Sequence, residues 1–254
     1  MTVERLMEHA QNLDEAQIQL MCEMSDALLK PHGAWVNHMS DFVSDEFSSS
    51  MSNRLKLHHA TSEEKFKKAP FEYAFVAAAR YSGKKAHKTR SQVHQGADVV
   101  VDDTKWSLKT EAAAKMNPEN IVISKFSEAR WIRDCRTPED FASEFVPRFM
   151  RHLSEYDRVI TLRAFSVPNE DKVRYHLVEI PKDFLSLAAT LKAENFSERT
   201  KGGGSSALVQ DHSGIAFRVV LDGSVEKVTL TRIRLDRCIQ HAIWTVPTIP
   251  DSSQ

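Results

Sequence analysis

Residues able to act on a phosphate ester stand close together in the middle of the chain: Asp98, Lys109 and Glu111, with Ser107 between them. Carboxylates bind Mg²⁺, which keeps several of its waters and contacts a substrate phosphate. A bound divalent ion helps to form hydroxide and neutralises the charge that develops on the phosphate. A nearby lysine can orient the attacking water or stabilise the transition state. These residue types predict Mg²⁺-dependent hydrolysis of a phosphodiester wherever the fold brings them together.

Two strand-like segments, 98–102 and 105–111, carry these residues, with a break of hairpin length between them. A two-residue turn at Asp103-Thr104 sets Asp98 opposite Lys109. Opposed residues and alternate residues share a face, so this register predicts that all four side chains lie on one sheet surface. The alternative is an exposed hairpin with a cross-strand Asp98–Lys109 ion pair, which contributes little to stability.

The arrangement of Asp98, Ser107 and Lys109 resembles the PD-(D/E)XK nuclease motif, and its setting resembles a type II restriction endonuclease. In that family an aspartate begins one central strand and a (D/E)xK triplet lies on the next. Here alanine replaces the motif's proline, and Ser107 replaces the first carboxylate of the triplet. Some restriction enzymes carry Ser-x-Lys and recruit a glutamate from the following helix, and by this resemblance Glu128 is a candidate. Glu111 is the candidate from the strand pattern itself, and both stay open.

Glu72 is a further candidate, because it is the one charged residue between Ala69 and Ala79, in a helix predicted to be buried on most sides. By the same resemblance, family members often carry a glutamate on a helix before the motif strands. A buried carboxylate needs a metal ion or a lysine as its partner. Alternatively, Pro70 begins the helix and Glu72 lies in its first turn, where the helix dipole favours an anion. The candidate catalytic residues are Asp98, Lys109, Glu111, Glu128, Glu72 and Ser107, and the candidate metal ligands are Asp98, Glu111 and Glu128.

Charge clusters, and not total charge, indicate where a nucleic acid would bind. The 34 Lys and Arg residues and the 35 Asp and Glu residues give a net charge of −1. A basic cluster nevertheless spans residues 84–90, and two arginines lie near the end of the last predicted hairpin. The alternatives are a solvated loop and a salt-bridged surface. The candidate DNA contacts are Lys84, Lys85, Lys88, Arg90, Gln92, Arg232 and Arg234.

Composition and targeting signals narrow the class of protein. The chain is 41% hydrophobic and 27% charged, which is typical of a globular protein. It has no apolar run of the length of a transmembrane helix, and its first residues lack the apolar core of a secretory signal. We therefore expect no membrane association and a cytoplasmic location in a prokaryotic cell. Three widely separated cysteines argue against a disulfide scaffold and a structural zinc site.

Periodicity predicts an α/β fold with a mixed central β-sheet flanked by helices, similar to the restriction endonucleases, and a helical N-terminal region. Residues 1–60 are predicted to form that helical region and 61–254 the nuclease-like α/β domain, the two making one compact unit. A helix is predicted over residues 35–47, a loop over 48–53 and a helix over 124–133. Strands are predicted at 157–165, 173–180 and 215–233, the last as a hairpin.

Together these observations predict a Mg²⁺-dependent type II restriction endonuclease that makes sequence-specific double-strand cuts in DNA. Reading a palindrome requires a symmetric dimer, so a homodimer is expected. One alternative is a DNA-binding module whose nuclease core has lost its catalytic activity. This alternative is suggested by Ser107, which stands where the motif has a carboxylate. A second alternative is a nuclease of DNA repair or recombination.

Overall fold

The structure is a computed structural model that describes residues 3–89 and 96–248. Its described part contains a seven-stranded mixed sheet, a four-stranded antiparallel sheet and six α-helices. The helices are α1 (Val3–Ala10), α2 (Glu15–Leu29), α3 (Asp45–Thr61), α4 (Lys68–Tyr81), α5 (Pro138–Ser154) and α6 (Lys182–Ser186). The strands are β1 (Gly33–Val36), β2 (Ala86–Lys88), β3 (Val99–Val101), β4 (Thr104–Glu111), β5 (Asn120–Glu128), β6 (Arg158–Ser166), β7 (Lys172–Ile180), β8 (Ser205–Asp211), β9 (Gly214–Asp222), β10 (Lys227–Arg234) and β11 (Ile239–Pro247).

The large sheet has the order β1-β11-β7-β6-β4-β3-β2, and only its β4–β6 pair is parallel within the described residues. Alternate residues of β6 enter two different cores. Ile160 packs on the side of α3 and α4, whereas Val159 packs on the side of α5 and the small sheet β5-β10-β9-β8. Burial on both faces explains why apolar residues occupy consecutive positions of β6, as at Val159 and Ile160, and do not alternate with polar ones. The predicted α/β class, with a mixed sheet flanked by helices, is confirmed.

The segment from residue 33 to residue 61 differs from its sequence prediction. Residues 33–36 form the edge strand β1, which pairs with β11, and the next helix begins only at Asp45, so the helix predicted over 35–47 is wrong for most of its length. The loop predicted at 48–53 lies inside α3, which is capped where the Ser44 hydroxyl accepts a hydrogen bond from the Phe47 N–H. Three serines of this segment, Ser48, Ser50 and Ser52, are buried against the core, and the Trp244 indole donates a hydrogen bond to the Ser48 hydroxyl at 2.9 Å. Small polar residues, typical of loops, allow close packing here. The domain boundary at residue 60 stays a prediction.

The helix predicted over 124–133 is also wrong. Strand β5 continues to Glu128 and pairs with β10, and a short 3₁₀ turn follows at Arg130–Arg133. The buried residues of β5 are Ile121, Ile123 and Phe126, and the pairing with β10 is irregular between them. Such an irregularity changes the spacing of inward side chains from two residues to three. The sequence pattern therefore resembles a helical repeat although the backbone is extended.

The β3–β4 hairpin turns one residue earlier than predicted. Asp102 and Asp103 form its tip with φ angles of 48° and 68°, a left-handed conformation that aspartate tolerates better than most residues. The register pairs Val99 with Trp106, so the prediction that Asp98 stands opposite Lys109 is wrong by two positions. A shift of two residues leaves each side chain on its original face, whereas a shift of one would have reversed it.

The left-handed turn yields a stability prediction at Asp103, which is exposed. Left-handed backbone costs an ordinary residue about 1–2 kcal/mol and costs glycine almost nothing. We expect Asp103→Ala to have a lower free energy of unfolding than Asp103→Gly by about 1 kcal/mol, measured by urea denaturation. Equal stabilities for the two variants would contradict the turn conformation.

Candidate active site

A cavity of about 480 Å³ lies where the start of β3 meets β4, β5 and α5. Asp98 and Lys109 both line it, so these two predicted residues come together on the same side of the hairpin. Five Lys or Arg side chains and three carboxylates line this cavity. That excess of cations around a carboxylate suits a polyanionic substrate such as a nucleic acid backbone.

The carboxylate of Asp98 is held in place by the neighbouring strand. Its Oδ2 accepts a hydrogen bond from the backbone N–H of Leu108 at 2.7 Å, and the Ser107 hydroxyl donates to the same oxygen at 3.4 Å. Its Oδ1 lies 2.7 Å from the ammonium nitrogen of Lys68. Ser107 therefore does not supply a charge, but it helps to orient the carboxylate beside it.

Lys109 carries its amino group into this cavity from the middle of β4. Burial lowers the pKa of Lys109 from 10.5 to about 8, although the nearby charge of Asp98 acts in the opposite direction. The Lys109 nitrogen also lies 5.8 Å from the centre of the Phe126 ring. An ammonium group in such surroundings interacts strongly with developing negative charge, because little water screens it.

Glu72 belongs to the same cluster of charges. The Lys68 ammonium lies 3.7 Å from Glu72 and 2.7 Å from Asp98, so one cation bridges the two carboxylates. Lys88 contacts the other oxygen of Glu72 at 2.8 Å. Helix α4 begins at Lys68 and has no acidic residue in its first turn, so the alternative role of Glu72 at the helix N-terminus is wrong. Two carboxylates that together attract a cation can also attract a divalent metal ion.

The structure places the two remaining glutamates elsewhere. Glu111 is buried, receives a 2.6 Å hydrogen bond from Nε of Arg163, and does not line the cavity. Glu128 lines the cavity but is well exposed, and its carboxylate pairs with Lys125 at 2.5 Å. No cluster of three or more His, Cys, Asp or Glu side chains able to hold a metal ion is found among residues 3–89 and 96–248.

Sequence reasoning missed the contribution of α5 to this cavity. Arg148, Arg151, His152 and Glu155 all line it. Burial lowers the pKa of His152 to about 4, which keeps its imidazole neutral, and its Nε2 donates a hydrogen bond to the Phe126 carbonyl. The spacing of three and four residues between these polar side chains was the available signal, because it places them on one face of a helix. Lys68 was missed as well, four residues before Glu72 on α4.

The predicted DNA contacts have varied surroundings. Lys84 lies 3.6 Å from Asp102, and Lys88 lies over the Tyr73 ring while it pairs with Glu72. Lys85 and Arg232 are exposed, and Arg234 forms an ion pair with Asp236. Arg90 and Gln92 lie outside the described residues.

Fold and site together define a class. A mixed α/β protein in which a strand-end aspartate and a half-buried lysine line one cationic cavity has the framework of a DNA-cleaving hydrolase. Residues 7–246 match the model of the SmaI family, described as type II site-specific deoxyribonuclease, and the chain belongs to this family. It is similar to the type II restriction enzyme SmaI of Serratia marcescens, with 32% identity over 210 residues, which cover 80% of this chain and 81% of that protein. No solved structure matches the chain.

The predicted function is thereby confirmed: the protein is a type II restriction endonuclease, a hydrolase of phosphodiester bonds that binds DNA as part of a restriction–modification system. Type II restriction enzymes generally need a divalent metal ion. None of the helices in the described residues is long and apolar enough to cross a membrane.

The Glu111–Arg163 pair generates a prediction that separates structural from catalytic roles. Removal of one partner of a buried ion pair typically costs about 3–5 kcal/mol, so we expect Glu111→Ala to lower the free energy of unfolding by that amount. Chemical denaturation measures it, with the exposed Glu119→Ala as the control that stays near the wild-type value. Unchanged stability in Glu111→Ala, together with loss of metal binding, would instead assign Glu111 to the metal site.

The depressed pKa of Lys109 generates a second prediction. Between about pH 8 and pH 10.5, Lys109 binds fewer protons in the folded protein than in the unfolded chain, so this group by itself contributes a rise of stability with pH across that window. We expect Lys109→Met to be more stable than the wild type at pH 7, by about 1–2 kcal/mol, and to lack this rise. Urea denaturation of both proteins at pH 7, 8.5 and 10 tests it. A variant less stable than the wild type at pH 7 would contradict the burial of a charged amine.

Proposed function

We propose that the enzyme makes Mg²⁺-dependent, sequence-specific double-strand cuts, and that its active site is a Ser-x-Lys variant of the PD-(D/E)XK type around Asp98 and Lys109. The single observation that carries this proposal is the convergence of these two side chains in one cationic cavity. It is supported by the hydrogen bonds that fix Asp98 and by the burial of Lys109.

Asp98 and Glu72 are the residues that would hold Mg²⁺. Mg²⁺ is typically bound through one or two carboxylates while it keeps several waters, so two carboxylates suffice for this ion. The Lys68 ammonium between them indicates that this position favours positive charge. When bound, Mg²⁺ supplies charge neutralisation at the phosphate and lowers the pKa of a bound water. Glu128 stays the alternative second carboxylate because it lines the same cavity, and Glu111 stays a prediction with its buried arginine partner as the competing role.

Lys109 would serve as the lysine of a (D/E)xK triplet, whereas Ser107 replaces its carboxylate and has a different role. The Lys109 amine is placed to hydrogen-bond the attacking water or the phosphate oxygens, and its burial strengthens either interaction. The Ser107 hydroxyl orients Asp98, and the missing charge of the triplet comes from Glu72 on α4. The site therefore keeps the usual number of carboxylates but draws one of them from a helix.

Binding of double-stranded DNA would use basic side chains that line this cavity, such as Lys125, Arg148 and Arg151, together with basic residues from the sequence prediction that do not line it. Lys85 and Arg232 are exposed and suited to contact phosphates, and Lys84, Lys88 and Arg234 would have to exchange an acidic partner for DNA. Arg90 and Gln92 remain candidates from sequence. We propose that the enzyme acts as a homodimer, because one site of this kind per chain cuts one strand. A cytoplasmic location is consistent with access to incoming DNA.

The decisive experiment compares cleavage of varied DNA by wild type, Asp98→Asn and Glu72→Gln, with Mg²⁺ and with EDTA. We expect EDTA to abolish cleavage, because it removes the ion that activates water, and Asp98→Asn to lower the rate by about 10³-fold, because it removes a charged ligand of that ion. Calorimetric titration with Ca²⁺ should show weaker binding to both variants. Glu128→Gln separates the two candidates for the second carboxylate: near wild-type Ca²⁺ binding supports Glu72, and weakened binding would assign the role to Glu128.

Other outcomes lead to the alternatives. Tight DNA binding without cleavage in Mg²⁺ or Mn²⁺ would identify a module whose nuclease core lacks catalysis. Cleavage that follows DNA structure or damage, and not sequence, would indicate a repair or recombination nuclease. Equal cleavage by wild type and Asp98→Asn would remove the proposed mechanism.

A further inference from the structure

Lys68 lies between the two carboxylates that are proposed to hold a divalent ion. Its ammonium nitrogen is 2.7 Å from Oδ1 of Asp98 and 3.7 Å from Oε1 of Glu72, and the side chain lines the active-site cavity. Oδ2 of Asp98 accepts a hydrogen bond from the backbone N–H of Leu108, and Oε2 of Glu72 contacts Lys88. Within the described part of the chain, the two oxygens that no other group holds, Oδ1 and Oε1, are therefore the two that Lys68 contacts.

Helix α4 itself gives no reason for a cation at this position. Lys68 is the first residue of the helix, where the helix dipole favours an anion, and the first turn contains no acidic residue. Lysine before glutamate is also the less favourable order for a pair spaced by four residues, as Lys68 and Glu72 are. The placement of Lys68 is therefore explained by the carboxylate of Asp98, which belongs to another element, and not by the stability of the helix.

Of the two lysines that contact Glu72, Lys68 is held less firmly. Its side chain is 45% exposed, whereas that of Lys88 is 28% exposed and places its ammonium 4.0 Å from the centre of the Tyr73 ring. Exposed ion pairs contribute little to stability, because water screens them and a long side chain loses freedom. A divalent ion carries twice the charge of an ammonium group, so it can displace Lys68 from the two carboxylates.

We propose that Lys68 occupies the divalent-ion position before the ion binds, and that its ammonium moves to a phosphate of the DNA when the ion takes this place. The ammonium and the ion cannot share the same two oxygens, because two cations at contact distance repel one another. The substrate supplies the new partner, since the enzyme is a deoxyribonuclease and DNA carries a phosphate at every step of each strand. This inference rests on the proposed metal site at Asp98 and Glu72, and it deepens it by adding a substrate contact outside the nuclease motif.

Such a displacement couples metal binding to DNA binding. Without DNA, an incoming ion must separate Lys68 from both carboxylates and leave its ammonium without an anionic partner. With DNA bound, a phosphate accepts the ammonium, so the ion meets less competition. Coupling between two ligands is reciprocal, so the factor by which DNA raises the metal affinity equals the factor by which the metal raises the DNA affinity. Lys68 would thus disfavour assembly of the metal site until DNA is present.

Calorimetric titration of the full-length protein with Ca²⁺ tests this inference, because it measures metal binding independently of cleavage. Without DNA, we expect Lys68→Met to bind Ca²⁺ about 10-fold more tightly than the wild type, because the competing ammonium is absent. Lys68→Arg keeps a cation and should bind Ca²⁺ no more tightly than the wild type. Lys67→Met is the matched control, since it removes the same charge from a neighbour that is 69% exposed and pairs with Glu64, and it should stay near the wild-type affinity.

The same titration in the presence of a duplex measures the coupling. The wild type should bind Ca²⁺ more tightly with DNA than without it, and the ratio of the two dissociation constants should be about 10-fold smaller in Lys68→Met. The salt dependence of DNA binding in Ca²⁺ should also lose about one unit of slope in Lys68→Met, because one phosphate contact is lost. Gel electrophoresis verifies that the duplex stays intact and circular dichroism verifies folding; Lys68→Gln replaces Lys68→Met if the latter does not fold.

The possible failures are distinguishable. If the wild type and Lys68→Met bind Ca²⁺ equally with and without DNA, this inference is overturned while the proposed metal site stands. If Lys67→Met tightens Ca²⁺ binding as much as Lys68→Met does, the effect is one of overall charge and the inference is again overturned. If no protein binds Ca²⁺ and EDTA leaves cleavage unchanged, the inference and the proposed metal site are both wrong. If only Lys68→Met binds Ca²⁺ more tightly but the wild type never cuts DNA, the inference is supported and the proposed function is not.

Discussion

The burial of the Lys109 amine beside a fixed carboxylate is the constraint on which the rest of the site depends. An amine removed from water loses much of its preference for the charged state, which is why the pKa of Lys109 falls to about 8. The charge of Asp98 limits that fall, and Asp98 is itself fixed by the backbone of β4. The lysine and the aspartate are therefore one unit: each defines the electrostatic environment of the other.

The charges around this pair are suited to binding both a cation, at the carboxylates, and a phosphate, at the Lys and Arg side chains. Lys68 bridges Asp98 and Glu72, and Lys88 holds the second oxygen of Glu72. The two carboxylates thus stay close without the repulsion that unpaired charges would suffer. Helix α5 adds Arg148 and Arg151 to the lining of the cavity, and its His152 remains neutral. Among the lining residues, the Lys and Arg side chains outnumber the carboxylates.

Particular residues explain which parts of this arrangement were visible in the sequence. The α/β class followed from strand and helix periods, and the hairpin followed from two short apolar runs around a polar break. The turn was misplaced by one residue because Asp102, Asp103 and Thr104 are all acceptable in a turn, and only tertiary pairing selects two of them. The prediction that Asp98 and Lys109 lie on the same side of the hairpin survives this error, because the register shifts by two residues and side chains alternate with a period of two.

The choice of the second carboxylate could not be made from spacing alone. Glu111 stands on the predicted face, yet it meets Arg163, a residue 52 positions away that β6 brings alongside β4. Glu72 comes from an earlier helix, and its proximity to Asp98 depends on how α4 packs on the large sheet. Serines inside α3 and the irregular pairing of β5 similarly acquire their structure from partners distant in sequence.

The guanidinium of Arg163 also fastens the connection between the two sheets. It donates hydrogen bonds to the carbonyls of Asn117, Pro118 and Asn120, where the chain leaves β4 and enters β5. The same guanidinium donates to Glu111 at the end of β4, so one side chain of β6 joins the end of one strand to the start of the next. A substitution at Arg163 would therefore disturb the entry of the chain into β5, whose later residues line the cavity, although Arg163 itself does not line it.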